Sequence, residues 1–250
     1  MTPWVARLVF ANVGMFLLTA VAPRLVWPLV LVPAFVPYRP WTLVTYMFLH
    51  GGFGHLLFNM LGLYFFGPRV EARLGGRRFL ALYFWSGIAG ALLSIATPSA
   101  RIVGASGAVF GVMLGFARYW PREPIYIWGV FPVEARVLVV VTTALALWGA
   151  FSGSSGGVAH FAHLGGYLGG WLYLRWSDAH TPAARFRARL APEPKRVSGA
   201  DVDRWRSIDA ATLHPVNREE YERVMAKVNT TGPETLSHGE REFLERFSPR

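Results

Sequence analysis

Residues 137–174 of this chain read VLVVVTTALALWGAFSGSSGGVAHFAHLGGYLGGWLYL, a stretch that contains no Asp, Glu, Lys or Arg. Residues 52–67 and 79–100 are free of these charged side chains as well. A helix of a soluble protein needs a polar face, so helices that are apolar on every side over such lengths belong in a bilayer. The three stretches predict an integral membrane protein and exclude a disordered chain, a collagen and a small secreted scaffold.

The composition of the chain points the same way. Of its 250 residues, 53% are hydrophobic and 16% are charged, whereas soluble domains carry roughly 25% charged residues. The chain has no cysteine, which excludes disulfides, thiol catalysis and Cys-ligated metals. Its net charge is +10, a balance that in membrane proteins is typical of cytoplasmic loops facing anionic lipid. Acidic residues outnumber basic ones over residues 201–250, so we expect no nucleic-acid partner.

Several segments are apolar and long enough to be membrane spans, since a span needs about 20 mostly apolar residues. The six candidates cover residues 4–22, 52–68, 79–97, 104–118, 136–152 and 160–175. The first resembles a signal peptide, but no small-residue cleavage site follows it, so we interpret it as a retained span. We therefore predict an all-α polytopic membrane protein whose membrane domain of six transmembrane helices occupies residues 1–177.

The distribution of Lys and Arg predicts the orientation, because positive loops stay on the cytoplasmic side. Basic residues concentrate after the second and fourth spans and at the start of the tail, whereas the opposite loops hold only Arg24, Arg39 and Arg101. Both termini are therefore expected in the cytoplasm. The long loop between the first two spans is rich in proline and apolar residues, and we expect it to lie in the bilayer interface, anchored by Trp27 and Trp41.

Residues 178–250 are predicted to form a short, partly helical cytoplasmic tail. One helix is expected after Asn217, with Glu220 completing a capping box, and a second after Ser237, with Glu240 in the same relation. Anionic headgroups are expected to contact the basic residues at the start of the tail, which are Arg185, Arg187, Arg189, Lys195 and Arg196. Docking on cytoplasmic loops, binding of a partner, homodimer formation and a plain solvated tail all stay open as its role.

Polar residues inside the spans are functional candidates, because burying them in hydrocarbon is costly. His55 and Asn59 lie in the first two turns of the second span, Ser106 in the first turn of the fourth, and His163 in the first turn of the sixth. Even-numbered spans all enter from the non-cytoplasmic side, so these four residues should lie at a similar depth. His55 and Asn59 are four positions apart and therefore share a helix face.

A serine and a histidine form the minimal activated nucleophile, in which the imidazole takes the hydroxyl proton and returns it to the leaving amine. Ser106 and His163 are the candidates for these two roles. The acidic residues that precede the tail are Glu71, Glu123 and Glu134, and the predicted orientation places all three on the cytoplasmic side. The sequence therefore permits a catalytic dyad but not a triad.

Acyl transfer also requires donors for the developing oxyanion. His55, Asn59 and the backbone N–H of Ser106 can each donate a hydrogen bond. Gly104 and Gly107 leave the backbone around the serine accessible. Small residues recur along the fourth and sixth spans, and such stripes let helices approach closely in membranes.

Each of these residues has a structural interpretation when it is taken singly: a helix cap, a bond between helices or a buried histidine. The coincidence of four at one depth favours catalysis. A haem or metal carrier using His50, His55, His160 and His163 is a second hypothesis, but it leaves Ser106 unexplained. A catalytically silent membrane chaperone or helix-binding protein is a third.

The motifs His50-x4-His55-x3-Asn59, Gly104-Ala-Ser106-Gly107 and Ala162-His163-Leu-Gly-Gly166 resemble those of the rhomboid intramembrane serine proteases. The resemblance covers about residues 4–177 and implies a rhomboid-like bundle of six transmembrane helices. It implies a serine endopeptidase that cleaves single-span transmembrane protein substrates near the outer face of the lipid bilayer. It implies Ser106 as nucleophile, His163 as general base, and His55 and Asn59 as oxyanion donors. No metal and no cofactor are expected.

The same resemblance assigns supporting roles. His50 is expected to hold the first loop, the loop over residues 151–159 to act as a flexible cap over the site, and Glu71 and Arg73 to be structural. Rhomboids often carry Trp-Arg ahead of the first histidine, whereas here Trp41 is followed by a threonine. One contact between the first loop and the rest of the fold is therefore expected to be lost. The lack of a targeting segment fits a bacterial cytoplasmic (inner) membrane.

Overall fold

A computed structural model describes residues 1–127, 129–152, 157–181 and 197–249, with the backbone alone for residues 157–159. Contacts divide the chain into two compact units, Met1–Ala184 and Arg185–Arg250. The predicted contacts of the basic segment over residues 185–196 with headgroups lie outside the described residues.

In the described part of the first unit, six long helices follow one another in the order that the apolar segments predict. They are α1 (Pro3–Val21), α2 (Phe53–Leu74), α3 (Gly76–Leu93), α4 (Ser106–Tyr119), α5 (Ala135–Phe151) and α6 (Gly157–Ala179). Among the described residues, α1 and the segment Gly76–Ala96 are long and apolar enough to cross a membrane by themselves, and α5 is a shorter apolar helix. The other three helices include polar, charged or short stretches, so the number of spans remains a prediction.

Helix α4 is the centre of the bundle and packs against α2, α3, α5 and α6. Most of its 14 residues are buried. A Cβ added to Gly166 of α6 would collide with the carbonyl of Gly107, and one added to Gly170 would lie 2.9 Å from the Cα of Gly111. The backbones of α4 and α6 therefore touch, which side chains larger than hydrogen would prevent.

The first loop is a chain of helical turns: Pro23–Val26, Trp27–Leu29, Pro33–Phe35, Thr42–Thr45 and Tyr46–Phe48. Backbone hydrogen bonds between Leu31 and Ile102 join it to the segment ahead of α4. Within the loop, the Trp41 indole N–H donates to the Pro28 carbonyl at 3.0 Å. The hydroxyl of Thr42, the residue after Trp41, donates to the Arg39 carbonyl at 2.7 Å. The loop is thus anchored through its backbone.

The opposite end of the bundle is held by Glu71, a buried carboxylate at the end of α2. It accepts hydrogen bonds from the Thr2 hydroxyl at 2.5 Å and from the backbone N–H groups of Trp4 and Val5 at 3.2 and 3.0 Å. Helix α1 has no side-chain cap of its own. Glu71 therefore satisfies N–H groups at the positive end of α1, as a capping side chain would.

A short antiparallel hairpin departs from the all-α expectation. Strand β1 (Pro124–Ile127) pairs with β2 (Phe131–Glu134) between α4 and α5. Its turn contains Gly129 at φ 73°, a conformation that favours glycine. Strands of four residues show too little alternation of apolar and polar residues to be predicted. The sequence analysis therefore did not predict this hairpin between two apolar segments.

The described residues of the second unit contain three α-helices, which are α7 (Gly199–Arg206), α8 (Pro215–Thr231) and α9 (His238–Phe247), and two short 3-10 helices, Ala210–Thr212 and Pro233–Thr235. Trp205, Val224 and Leu244 are buried together in its core. The capping box of Ser237 and Glu240 is confirmed at the start of α9.

Two details of the predicted tail are wrong. Helix α8 begins at Pro215 rather than after Asn217, because proline is well suited to a first helical turn, and Glu220 pairs with Arg223 instead of capping. The count of two helices is also wrong, since α7 adds a third. Its N-terminus carries a capping box of Ser198 and Asp201, a signal that the sequence contains and that was overlooked.

Candidate active site

Two helices place Ser106 and His163 side by side. Ser106 is the first residue of α4, and His163 lies in the second turn of α6. The His163 Nε2 and the Ser106 Oγ are 2.8 Å apart, within hydrogen-bond distance. Both side chains are half-buried. Next to them, a Cβ on Gly107 would lie 2.9 Å from the Ala162 carbonyl oxygen, so the missing side chain at position 107 allows the approach.

Gly104 brings His55 to the segment that leads into Ser106. Its backbone has φ 121°, in the region that side chains rarely tolerate. A Cβ at this position would lie 2.5 Å from Cε1 and 2.6 Å from Nε2 of the His55 ring. Its N–H donates to the carbonyl of Tyr46 at 3.0 Å. Both its conformation and its packing therefore require glycine.

The other predicted site residues lie around the start of α2. Asn59 is buried, and its amide donates to the His55 carbonyl at 2.8 Å, which occupies one of its two N–H bonds. His50 is buried, and its ring meets that of His55 edge-on at 5.1 Å between centroids. In the described residues, neither His55 nor Asn59 forms a hydrogen bond with Ser106. The Ser106 and His163 side chains are therefore in direct contact, and the α2 residues flank them.

Two aromatic residues that the sequence analysis missed, Phe110 and Tyr167, extend in a row from His163. Phe110 stacks on its ring with 4.2 Å between centroids and 15° between planes. Tyr167 lies 5.0 Å from Phe110, and its hydroxyl shares a 2.6 Å hydrogen bond with Thr142 of α5. Phe110 lies four positions after Ser106, and Tyr167 lies four positions after His163. Helical spacing is therefore the signal that could have found them.

Tyr46 is a second residue that the sequence analysis missed. It is buried in the first loop. Its hydroxyl donates to the Gly87 carbonyl of α3 at 2.8 Å, and its own carbonyl accepts from Gly104. It therefore fixes the loop, α3 and the segment before Ser106 relative to one another. Nothing in the local sequence distinguishes this tyrosine from other apolar-loop aromatics.

The acidic residues of the helical bundle lie at its other end, including Asp178 of α6, which pairs with Arg118 at 2.7 Å. Glu71 binds the start of α1, Glu123 pairs with Arg69 at 2.6 Å, and Glu134 pairs with Arg136 at 2.6 Å. In the described residues the His163 imidazole therefore has no carboxylate beside it, and the ring of Phe110 stacks on its face.

Two further expectations concern the surroundings of the site. The predicted cap over residues 151–159 lies outside the described residues at positions 153–156, whereas residue 151 ends α5 and residues 157–159 begin α6. His160 packs against Gly149 of α5, and its ring lies 6.3 Å from that of His163. Across the described ranges, no three His, Cys, Asp or Glu side chains are grouped so that they could hold a metal ion.

Comparisons with known proteins converge on one domain. The family model described as Rhomboid domain matches residues 37–176. RHOMBOID-like protein 4 of Arabidopsis thaliana is 41% identical over 134 residues, 53% of this chain and 32% of that protein. Rhomboid-like protease 3 of Toxoplasma gondii is 37% identical over 140 residues, 55% of this chain and 52% of that protein.

A relative that is named as mitochondrial has a similar degree of sequence identity to this chain. Rhomboid protein 1, mitochondrial, of Saccharomyces cerevisiae is 38% identical over 141 residues, 50% of this chain and 38% of that protein. The chain thus spans about a third to a half of the length of these relatives. The matched region contains every residue of the site described above.

Proposed function

The chain belongs to the rhomboid family, and on this premise we propose that it is a serine endopeptidase that hydrolyses peptide bonds within the membrane. The observation that carries the proposal is the 2.8 Å separation between the Ser106 Oγ and the His163 Nε2. A free serine hydroxyl is a weak nucleophile and needs an adjacent base. A relative whose name describes it as a protease supports the same activity.

In the proposed reaction, the Ser106 Oγ attacks the scissile carbonyl carbon while its proton moves to the His163 Nε2. The C–N bond then breaks, and His163 returns this proton to the leaving amine. Water next attacks the acyl ester and loses its proton to His163. The serine recovers that proton as the carboxylic acid product leaves, so one peptide bond and one water are consumed.

The start of α4 is suited to stabilise the negative oxygen of the tetrahedral intermediate. The first N–H groups of a helix have no partner within the helix and lie at the positive end of its dipole. The backbone N–H of Ser106 is one of these groups. We assign the side chains of His55 and Asn59 as further donors, since His55 packs against Gly104 and Asn59 follows one helical turn later on the same face of α2. Donors of this kind typically contribute 10²–10³-fold each.

The stack of Phe110 on His163 replaces the orienting carboxylate of a triad. Parallel rings at 4.2 Å restrict rotation of the imidazole about its side-chain bonds, which keeps the Nε2 facing Ser106. Tyr167 supports Phe110 from α6 and is itself held by Thr142. We assign Phe110 as a positioning residue, because it acts through His163 and not on the substrate.

The substrates and the membrane placement form the remaining part of the proposal. We assign single-span membrane proteins as substrates and place all six helices across a bilayer, with the Ser106 end towards the non-cytoplasmic side and both termini in the cytoplasm. The half-buried state of Ser106 and His163 supports access of water to the site. A bacterial cytoplasmic membrane is the proposed location.

A fluorophosphonate probe, which reacts with activated serines, tests the proposal on full-length protein in detergent. We expect labelling of the wild type and its loss in Ser106→Ala and His163→Ala. Ser99→Ala, an exposed serine at the same end of the bundle, and His160→Ala are matched controls that should be labelled. Absence of labelling in a folded wild type, or persistence in Ser106→Ala, would overturn the proposal and favour a silent helix-binding protein.

A further inference from the structure

A pocket of about 360 Å³ lies at the Ser106 end of the first unit, between the first loop and the segment that leads into α4. Two arginines, Arg39 from the loop and Arg101 from the segment, line it together with Trp27, Phe35 and Ser99. We call it the arginine pocket. Positive residues are rare at this end of the bundle, and the pocket gathers two of the three arginines of its loops.

Backbone pairing builds the walls of the arginine pocket. Leu31 and Ile102 exchange backbone hydrogen bonds of 3.2 and 2.8 Å, and the Ala34 N–H donates to the Pro98 carbonyl at 2.9 Å. These bonds fix the loop against the segment over residues 98–102. Arg39 and Arg101 are far apart in sequence. The backbone pairing of their two segments therefore brings them together, and not a chance orientation of their side chains.

No carboxylate of residues 1–177 is available to neutralise these arginines. The acidic residues of that region, Glu71, Glu123 and Glu134, lie at the other end of the helices and have partners there. In the described residues, neither Arg39 nor Arg101 donates a side-chain hydrogen bond. Two guanidinium groups with five N–H donors each therefore face one pocket without an acceptor.

Aromatic rings hold both guanidinium groups in place. The Arg101 Cζ lies 4.7 Å from the centre of the Trp27 ring, and the Arg39 Cζ lies 5.9 Å from that of Phe35. Such cation–π contacts use the face of the guanidinium and leave its N–H edge free. Trp27 is 50% exposed and Phe35 52% exposed, so an apolar, aromatic rim surrounds a cationic centre.

We propose that the arginine pocket binds the phosphate of an anionic phospholipid from the leaflet at the Ser106 end. Guanidinium groups bind phosphate oxygens in pairs of parallel hydrogen bonds. The exposed aromatic rim matches the interface between headgroups and acyl chains, where Trp side chains concentrate. A soluble anion would use the arginines alone, whereas a lipid uses the arginines and the rim. The proposal rests on the proposed membrane placement and not on the chemistry of Ser106.

A bound phosphate would couple the lipid to the candidate active site. The segment over residues 98–102 continues directly into Gly104 and Ser106, and Tyr46 connects the first loop to Gly104. A phosphate bridging Arg39 and Arg101 therefore ties the two walls together next to the serine. The lipid phosphate thereby supplies the negative charge that no side chain of the bundle places beside the two arginines.

Native mass spectrometry of the full chain in detergent tests the site, with phosphatidylglycerol as the probe. We expect one lipid bound more tightly than the rest, with its dissociation constant raised about thirtyfold in Arg39→Gln/Arg101→Gln. Each single variant should show roughly a fivefold effect. Arg24→Gln is the matched control, since Arg24 is exposed at the same end but does not line the pocket.

Two further samples separate the alternatives. Ser106→Ala should retain the lipid, so loss of protease activity and loss of lipid binding are independent results. Glycerol 3-phosphate should not displace the lipid at equal concentration, and if it does, the pocket holds a soluble anion instead. Equal affinity in the double variant, or an equal loss in Arg24→Gln, would overturn the proposal. Thermal unfolding of each variant checks its fold, and the single variants provide the test if the double variant unfolds.

Discussion

The His163 Nε2 and the Ser106 Oγ lie 2.8 Å apart although 57 positions separate the two residues in the chain. The contact joins the beginnings of two helices, α4 and α6, whose backbones touch through glycines. It places an imidazole against a hydroxyl at an end of the bundle where no acidic side chain of residues 1–177 lies. The predictions below follow from this pair and from the contacts that hold it.

The proposed dyad of Ser106 and His163 acts as a unit and therefore predicts strongly non-additive effects. We expect Ser106→Ala and His163→Ala each to lower the cleavage rate of a single-span reporter by at least about 10³-fold in proteoliposomes. The double variant should be no slower than the worse of the two, because either change already removes the activated nucleophile. Initial cleavage rates at several reporter densities provide the measurement. Losses that multiply would mean that the two side chains act independently.

The close approach of α4 and α6 predicts a size limit at Gly166. A Cβ at this position collides with the Gly107 carbonyl, so Gly166→Ala must separate the helices. Overpacking of this kind typically costs about 1–3 kcal/mol, and the separation should also abolish labelling of Ser106. Gly14→Ala is the matched control, since nothing lies within 4 Å of a Cβ there. The free energy of unfolding in detergent should be unchanged or higher in this control.

Equal stability of Gly166→Ala and Gly14→Ala would contradict the packing of α4 on α6. Retained labelling in Gly166→Ala at wild-type rate would show that the distance between Ser106 and His163 tolerates helix separation.

The proposed oxyanion role of Asn59 predicts an effect on kcat with little effect on KM. Asn59→Ala should lower kcat by about 10²-fold, since the lost hydrogen bond forms only in the transition state. Asn12 offers a matched control, because it is also buried in a helix and also donates to the carbonyl four residues earlier. Asn12→Ala should change stability but leave kcat close to the wild-type value. Equal losses of kcat in both variants would assign Asn59 a purely structural role.

The contacts of Glu240 in the tail predict that the local stability of helix α9 depends on pH. The carboxylate of Glu240 accepts hydrogen bonds from Lys227 at 2.8 Å and from the Ser237 N–H at 2.8 Å. These contacts, with the lysine contributing most, lower the pKa of Glu240 to about 2. The folded-state pKa is below the unfolded value of about 4.3. The stabilisation is therefore complete above about pH 5 and is lost as the pH falls towards 2.

Amide hydrogen exchange of residues 238–247 in the full chain measures this dependence after correction for the intrinsic exchange rate. Protection should fall between pH 5 and pH 3 in the wild type, while Glu240→Gln should be less protected at pH 6 and change little with pH. Glu245→Gln, an exposed position of the same helix, should behave like the wild type. A pH profile that is identical in wild type and Glu240→Gln would exclude Glu240 as the group responsible.

The sequence by itself determined the elements that depend on local pattern. Apolar length located the six long helices, with their ends up to six residues from the predicted limits, and the serine and two histidines near the starts of three of them indicated a common depth. The capping box at Ser237 was read correctly for the same reason, since it needs only four consecutive residues. The start of α8 was misplaced because two helix-start signals, Pro215 and Asn217, lie two positions apart. The local pattern does not show which of them begins the helix.

Tertiary structure alone decided which side chains meet. The stack of Phe110 on His163, the capping of α1 by Glu71 and the pairing of Leu31 with Ile102 each join segments far apart in the chain. Such contacts depend on how packed helices are rotated and how far apart they lie. Glycines such as Gly107 fix that separation, because they lack a Cβ that would push the helices apart. Local periodicity shows that a helix has a small face, but not which partner that face contacts. The pairing of Ser106 with His163 could therefore be predicted from the sequence. The contacts of Phe110 and Tyr167 and the arginine pocket could be found only in the folded structure.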